Sequence, residues 1–350
     1  KPFNSLISNI LPQIAYAKHR QLLLITGEQN WCYQQANELL KQLCHPLVKV
    51  LSTSGELTDS SWPEHTHQIL GQEFQHVIYD GFSGLVPDKF AALSGTVQAG
   101  GLFIVLLPEL DDLHYWCDPA LTAFQSFAQQ QQQSYFNQRF ARLLQSNLYL
   151  HLSQQSGWQT LPETSQLTGK QIIRTANGRA NRPLLISADR GRGKSAALGL
   201  AAATLNDKKI LICAQQFNAL HSCFKHFAAA RGLSYQTRDK QLIKMLTHYP
   251  RIIFASTMVG YEGNGRGYTL KFKRYLEQHY KNMHSVTLEQ PIRFAANDPL
   301  EQHICNLLAL DADYQDITLD TSALLYSELT PQQLAENEAL LRQVIGLLAL

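Results

Sequence analysis

A chain of 350 residues is long enough for two domains, and 45% hydrophobic residues suffice to bury a core in each. The formal net charge of +2 neither demands nor excludes a nucleic-acid partner, so any basic surface has to be local. Six cysteines without a C-x-x-C pair (Cys32, Cys44, Cys117, Cys213, Cys223, Cys305) argue against a disulfide framework or a zinc site, and no apolar stretch reaches the roughly 18 residues of a membrane span. With no signal peptide, the expected location is cytoplasmic. The chain opens on Lys1 rather than methionine, which predicts a trimmed or processed start.

Taken in chain order, Gln21–Thr26 (QLLLIT) predicts a buried strand and Asn30–Leu43 a helix. Leu47–Leu51, His76–Tyr79 ending at Asp80, and Leu102–Leu107 (LFIVLL) predict three further strands. Continuous apolar strands separated by helices indicate a parallel α/β sheet covered on both faces, of Rossmann-like or RecA-like type. Thr26-Gly27-Glu28 sits where a phosphate loop would, with Asp80 where a metal-binding acid would. It lacks Gly-Lys-Ser/Thr, so the expectation is a degenerate domain that keeps the architecture without a phosphate loop. Gln129–Gln133 is a glutamine run read as a solvated helix face or loop.

A change of register at Leu150–Thr164 marks a boundary, giving an N-terminal α/β domain over 1–155 and a second domain over 156–310. The second begins with Leu167-Thr168-Gly169-Lys170-Gln171 and the strand Pro183–Ser187. A helix over Lys194–Leu205, a strand at Lys209–Cys213 and a helix over Phe217–Ala230 follow. The strand Arg251–Ala255 (RIIFA), apolar throughout after its first residue, is expected to be central, and Val286–Leu288 to be one more short strand.

Ala188-Asp189-Arg190-Gly191-Arg192-Gly193-Lys194-Ser195 joins a buried strand to a helix, the context that a Walker A phosphate loop requires. Ala188 stands where the first glycine is usual. Gly191 and Gly193 let the backbone curl so that successive N–H groups face one anion, and the helix beginning at Lys194 adds its positive end. The expectation is ATP binding and hydrolysis in this chain, with Lys194 at the β- and γ-phosphates as the catalytic cation and Ser195 as a Mg²⁺ ligand. Ala196 follows in the first helical turn. Arg190 and Arg192 read equally well as phosphate-screening, as RNA-facing or as solvated loop residues.

The run ADRGRGKSAALGLAAA (Ala188–Ala203) resembles the phosphate loop of the bacterial tRNA(Met) cytidine acetyltransferases and their archaeal and eukaryotic relatives. Three further segments resemble the same family. They are Ala91–Leu107, Gly260–Gly267 (GYEGNGRG) and Gln290-Pro291-Ile292-Arg293-Phe294. The resemblance implies a degenerate N-terminal domain, a helicase-like ATPase domain and an acetyltransferase domain that this chain lacks. It implies ATP-assisted acetylation of N4 of the wobble cytidine in elongator tRNA(Met), using acetyl-CoA in the missing domain. On motif matching, Gln171 takes the adenine-side glutamine's place and Arg293 an arginine that approaches the nucleotide phosphates.

Two departures qualify that resemblance. Leu233–Tyr249 offers no apolar strand ending in Asp-Glu, and Asp239 sits in a polar stretch, so roughly 20–40 residues, the size of a βα unit, are expected to be absent near Lys240. The first reading is a segment omitted from the sequence, the second a natural deletion that would leave nucleotide binding with little hydrolysis. No Gly-rich acetyl-CoA turn is found. Residues 311–350 read as a connector: Thr330 and Gln333 form a capping box, Pro331 opens the helix, and one helix is expected through Leu334, Leu341, Val344 and Ile345 to Leu350. Lys271, Lys273 and Arg274, interleaved with Phe272 and Tyr275, and Arg266 are candidate RNA contacts, with an amphipathic helix as the competing reading. Glu262 is a candidate for coupling nucleotide state to RNA grip, or a simple helix cap. The alternatives are a stand-alone P-loop ATPase and a nucleotide-gated RNA-binding module without acetyltransferase activity.

Overall fold

The computed structural model describes residues 4, 6–43, 47–124, 133–145, 149–159, 184–188, 191–205, 210, 212, 217–233, 253–257, 277–278, 284–288, 291–312 and 328–348. In chain order its elements are α1 (Leu11–Ala17), β1 (Gln21–Thr26), α2 (Gln29–Gln42), β2 (Val48–Leu51), β3 (Ser60–Ser61), β4 (His76–Asp80), α3 (Pro87–Ser94) and β5 (Leu102–Leu107). Next come α4 (Tyr135–Gln145), β6 (Leu150–Ser153), β7 (Gly157–Gln159), β8 (Leu184–Ala188), α5 (Lys194–Ala203), α6 (Phe217–Ala230), β9 (Ile253–Thr257) and β10 (His284–Leu288). The chain continues with α7 (Pro299–Leu308), α8 (Pro331–Glu336) and α9 (Glu338–Leu348).

The chain divides into two compact units, Lys1–Leu167 with Asn297–Leu350, and Thr168–Ala296. The first is built on a seven-stranded sheet in the order β3-β2-β4-β5-β1-β6-β7, parallel except for β7. Every residue of β4 and β5 is buried, because helices cover both faces of a parallel sheet. Side chains alternate between the faces. Leu22, Leu24, Val77, Tyr79, Phe103 and Val105 pack with Phe90 and Leu93 of α3 and Phe140 and Leu144 of α4. Leu23, Ile25, Ile78, Ile104 and Leu106 pack on the other face with Cys32, Ala36 and Leu39 of α2. Among the described residues Cys32, Cys117, Cys223 and Cys305 are free thiols, and burial pushes the Cys32 and Cys223 thiols up.

Helix α7 belongs to this first core. Leu300, Ile304 and Leu307, spaced for one helical face, join the cluster of α3 and α4. The Asp298 carboxylate caps α7 by accepting from Glu301 N at 2.9 Å and also pairs with buried Arg20, Nη2 to Oδ2 at 2.9 Å and Nε to Oδ2 at 3.1 Å. Arg139 of α4 donates to the terminal carbonyls of α7, Leu307 O at 2.6 Å and Asn306 O at 3.1 Å, and holds Glu338 of α9 at 2.6 Å. Burial raises the Glu338 pKa, yet the hydrogen bonds and charges of Arg139 and Arg342 outweigh it and hold the carboxyl below its ordinary value.

The compact units divide at 167/168 and, through these contacts of α7, at 296/297; the sequence reading placed its boundaries at 155/156 and 310/311. The difference arises because apolar spacing on α7 announces a buried face without saying which core it enters. Residues 331–348 also form two helices rather than one. Asn337 leaves helical geometry at φ −112°, ψ 94°, and its Oδ1 accepts from Leu340 N at 3.0 Å. The Thr330–Gln333 capping box is present, with Gln333 N donating to Thr330 Oγ1 at 3.2 Å and Thr330 N donating to Gln333 Oε1 at 2.9 Å.

The second unit contains a three-stranded parallel sheet in the order β10-β8-β9. Strand β8 lies in its centre, whereas β9, expected to be central, is an edge strand among the described residues. Most of the expected strand at Lys209–Cys213 lies outside the described residues, and Ile210 and Ile212 are not in strand geometry. Helices α5 and α6 pack closely: a Cβ on Gly199 of α5 would stand 2.2 Å from the Cys223 carbonyl oxygen of α6. No helix among the described residues is long and apolar enough to cross a membrane.

Candidate nucleotide-binding site

Register aligns Ala188 at the end of β8 with Thr257 of β9 and Leu288 of β10. The chain leaves β8 there, at the carboxyl edge of a parallel sheet, the place where α/β folds bind ligands. Gly191 and Gly193 both adopt left-handed backbone, φ 79° and 81°, which L-residues with a Cβ rarely do. Gly193 then caps α5, and its carbonyl accepts the first helical bond from Ala197 N at 2.8 Å. First-turn N–H groups have no intrahelical acceptor, so the start of α5 presents donors and the positive end of the helix dipole.

The loop is backed by the segment after β10. Ile292 N and Arg293 N donate to the Gly191 carbonyl at 3.0 and 3.3 Å. A Cβ on Gly193 would lie 2.2 Å from Ile292 Cδ1, and one on Gly191 3.0 Å from Phe294 Cε1 and 3.6 Å from Arg293 Cβ. Arg293, singled out by sequence, is thus brought beside the loop. Ile292 and Phe294 were not singled out, although both lie in the quoted segment Gln290–Phe294. The Lys194 ammonium turns back over the loop and donates to the Ala188 carbonyl at 2.5 Å. Gly191, Arg192, Gly193, Lys194 and Ser195 are half-buried and Ala196 is buried. Two left-handed glycines, a lysine, a helix N-terminus and a first-turn hydroxyl fit a polyphosphate with its divalent cation. Gln171, Asp189, Arg190, Asp239, Glu262, Arg266, Lys271, Lys273 and Arg274 lie outside the described residues.

In the first unit the same edge is occupied by its own side chains. Thr26 Oγ1 donates to Glu109 Oε2 at 2.7 Å and lies 2.9 Å from His151 Nε2. Glu109 Oε1 accepts from Ser153 Oγ at 2.9 Å and Gln155 N at 3.1 Å. Glu28 N donates to Gln154 Oε1 at 2.6 Å, and a Cβ on Gly27 would overlap that same side chain at 2.5 Å. Burial pushes the His151 pKa down, against Gln159 and Glu109, which raise it. Asp80, at the end of β4, accepts from Tyr33 Oη at 2.9 Å, Ser52 Oγ at 2.5 Å and Ser83 Oγ at 2.6 Å. Burial is the largest cause that pushes the Tyr33 phenol up to about 12.

Comparison with known proteins places this architecture. The model of the tRNA(Met) cytidine acetyltransferase TmcA N-terminal domain matches residues 2–155. The model of the RNA cytidine acetyltransferase NAT10/TcmA helicase domain matches 185–243 and 238–311. Residues 2–155 and 185–311 are thus similar to the N-terminal and helicase domains of the tRNA(Met) and RNA cytidine acetyltransferases. It is 28% identical to the tRNA(Met) cytidine acetyltransferase TmcA of Nitrosococcus halophilus, over 95% of this chain and 54% of that protein. The TmcA proteins of Photorhabdus asymbiotica and Vibrio cholerae are also 28% identical, covering 94% and 93% of this chain and 52% and 51% of theirs. The chain therefore spans about half the length of the curated relatives it matches. The loop between β8 and α5 falls in the segment matched by the helicase-domain model.

Proposed function

We propose that this chain is the nucleotide-binding, helicase-like half of a tRNA cytidine acetyltransferase. The observation that carries the reading is the loop between β8 and α5, in which Gly191 and Gly193 are both left-handed and packed against Ile292–Phe294. That loop sits in a match to an RNA cytidine acetyltransferase helicase domain. ATP would be cradled by residues 188–196, with Lys194 at its terminal phosphates, Ser195 on Mg²⁺, Arg293 beside the phosphates and Gln171 on the adenine side. When bound, Mg²⁺ supplies charge neutralisation between phosphates. Lys194 and Arg293 add fixed positive charge, and the start of α5 orients the anion by its N–H groups.

In the first unit, the hydrogen bonds of Glu109, Gln154 and Asp80 to their neighbours leave the sheet edge engaged internally, which supports a RecA-like domain without a phosphate loop. Its role is then to brace and present rather than to bind nucleotide. Elongator tRNA(Met) is the proposed partner, with Arg266, Lys271, Lys273, Arg274 and Glu262 as candidate contacts or couplers, and the cytoplasm the proposed location. Acetyl-CoA use and N4-acetylation of the wobble cytidine would then fall to the part of the full-length enzyme that this chain does not span.

The test is equilibrium binding of ATP and Mg²⁺ to the chain, with Lys194→Ala beside it. Loss of the lysine is expected to weaken affinity at least about tenfold, equivalent to about 1.4 kcal/mol. Equal affinity in both proteins, or no saturable binding in either, would refute the site.

A further inference from the structure

We propose that this chain holds its nucleotide without hydrolysing it, because the βα unit that would set a catalytic acid beside β9 has been deleted from the sequence at residues 238–243. The inference rests on the phosphate-loop reading above and goes beyond it. Binding a nucleoside triphosphate needs the loop, the lysine and the helix N-terminus. Hydrolysis further needs an acid on a neighbouring strand to hold the metal and an orienting group for the attacking water. The two capacities are therefore separable in one domain.

The first unit shows where that acid belongs. Its strands β6-β1-β5 and the second unit's β10-β8-β9 share order and parallel direction, with the strand that precedes the loop in the middle. Beyond β5 the first unit adds β4, whose four buried residues His76–Tyr79 lead to Asp80 at the carboxyl edge. The equivalent place in the second unit lies beyond β9. Among the described residues β9 pairs with β8 alone. Its first residue, Ile253, is 48% exposed, although Ile252-Ile253-Phe254-Ala255 has the unbroken apolar composition of a strand covered on both faces.

Nothing in the intervening sequence supplies an acid at the end of an apolar run. Between α6 and β9, residues 231–252 contain one acid, Asp239, and it follows the polar run Ser234-Tyr235-Gln236-Thr237-Arg238. The apolar run there, Leu242–Leu246 interrupted by Lys244, leads into Thr247-His248-Tyr249-Pro250 and so to no acid. The family comparison marks the break independently. The helicase-domain model matches in two pieces, 185–243 and 238–311, which meet on the same few residues. The alignments with the Nitrosococcus halophilus and Photorhabdus asymbiotica relatives run over 405 and 369 positions, each longer than the 350-residue chain. Those relatives carry residues with no counterpart here. In this chain ATP is accordingly a bound ligand that is not consumed.

The experiment uses the whole 350-residue chain with Mg²⁺ and ATP. A fluorescent N-methylanthraniloyl ATP reports binding, chromatography of nucleotide recovered from the complex after several hours reports its chemical state, and phosphate release is followed with and without elongator tRNA(Met). Saturable binding is expected, weakened at least about tenfold by Lys194→Ala, with the recovered nucleotide still a triphosphate. Phosphate release should not exceed that of Lys194→Ala under either condition. Ser195→Ala serves as a second control should Lys194→Ala prove unfolded by thermal melting. Release above the controls would overturn the proposal, and its loss in Asp239→Asn would identify the acid that refuted it. Absence of binding is a different result: it would remove the phosphate-loop reading and this inference with it.

Discussion

At the residue scale, Gly193 concentrates two demands that usually occur apart. Its φ of 81° disfavours any L-residue by about 1–2 kcal/mol, and a Cβ there would lie 2.2 Å from Ile292 Cδ1. Ile292 is 40% exposed, so its terminal methyl has somewhere to go and the steric conflict can be relieved by a rotamer change. The backbone cost cannot. Gly193→Ala is therefore expected to weaken ATP binding by about tenfold, and Gly193→Ala with Ile292→Ala to recover little of it. Calorimetric titration of the two variants checks this. Full recovery in the double variant would show that the clash, rather than the left-handed turn, shapes the loop.

The same scale separates what sequence can and cannot show of a site. Lys194, Ser195 and the glycines were legible because strand, glycine pair and helix are local and contiguous. The packing of Ile292–Phe294 on the loop spans about a hundred residues of sequence, and only the resemblance to a known family pointed to Arg293. In the first unit the reverse holds. The sequence located Thr26-Gly27-Glu28 and Asp80, but the side chains that engage them are distant in sequence. Glu109, His151, Ser153 and Gln154 carry no local motif, and β6 and β7 are too short and mixed to announce themselves.

At the scale of elements, the fit of α5 against α6 depends on Gly199. Replacing a mid-helix glycine with alanine ordinarily stabilises a helix by roughly 0.5–1 kcal/mol. Here the new Cβ would stand 2.2 Å from Cys223 O and 3.1 Å from Phe227 N, backbone atoms that no rotamer change can move. Overpacking of this kind costs about 1–3 kcal/mol and should win. Gly199→Ala is expected to lower the melting temperature of the second unit, read by differential scanning calorimetry. A rise instead would mean that the α5–α6 spacing relaxes freely. The strands β1, β4 and β5 were legible from their apolar runs, whereas the break between α8 and α9 was not. The apolar spacing continues through Asn337, and only its local capping geometry ends one helix and starts the next.

At the scale of the whole molecule, the chain leaves the first unit, builds the second, and returns with α7 to complete the first unit's core. The helicase-domain match extends to residue 311 and so includes α7, while Leu300, Ile304 and Leu307 pack with α3, α4 and the β1–β5 sheet. Evolutionary unit and packing unit thus differ by one helix. The sequence boundary near 310 followed the former and the fold follows the latter. Which unit α7 serves energetically is measurable. Leu300 is fully buried, and Leu300→Ala should cost about 2–5 kcal/mol from lost transfer energy and the cavity left behind. If that cost falls on the first unit, amide exchange in β1 and β5 will quicken while affinity for ATP at the loop after β8 stays within twofold. The buried Arg20–Asp298 pair, which also caps α7, argues for that outcome, because it ties the start of the helix to the residue preceding β1. Unchanged exchange in β1 and β5, together with weakened nucleotide binding, would assign α7 to the helicase half despite where its leucines are buried.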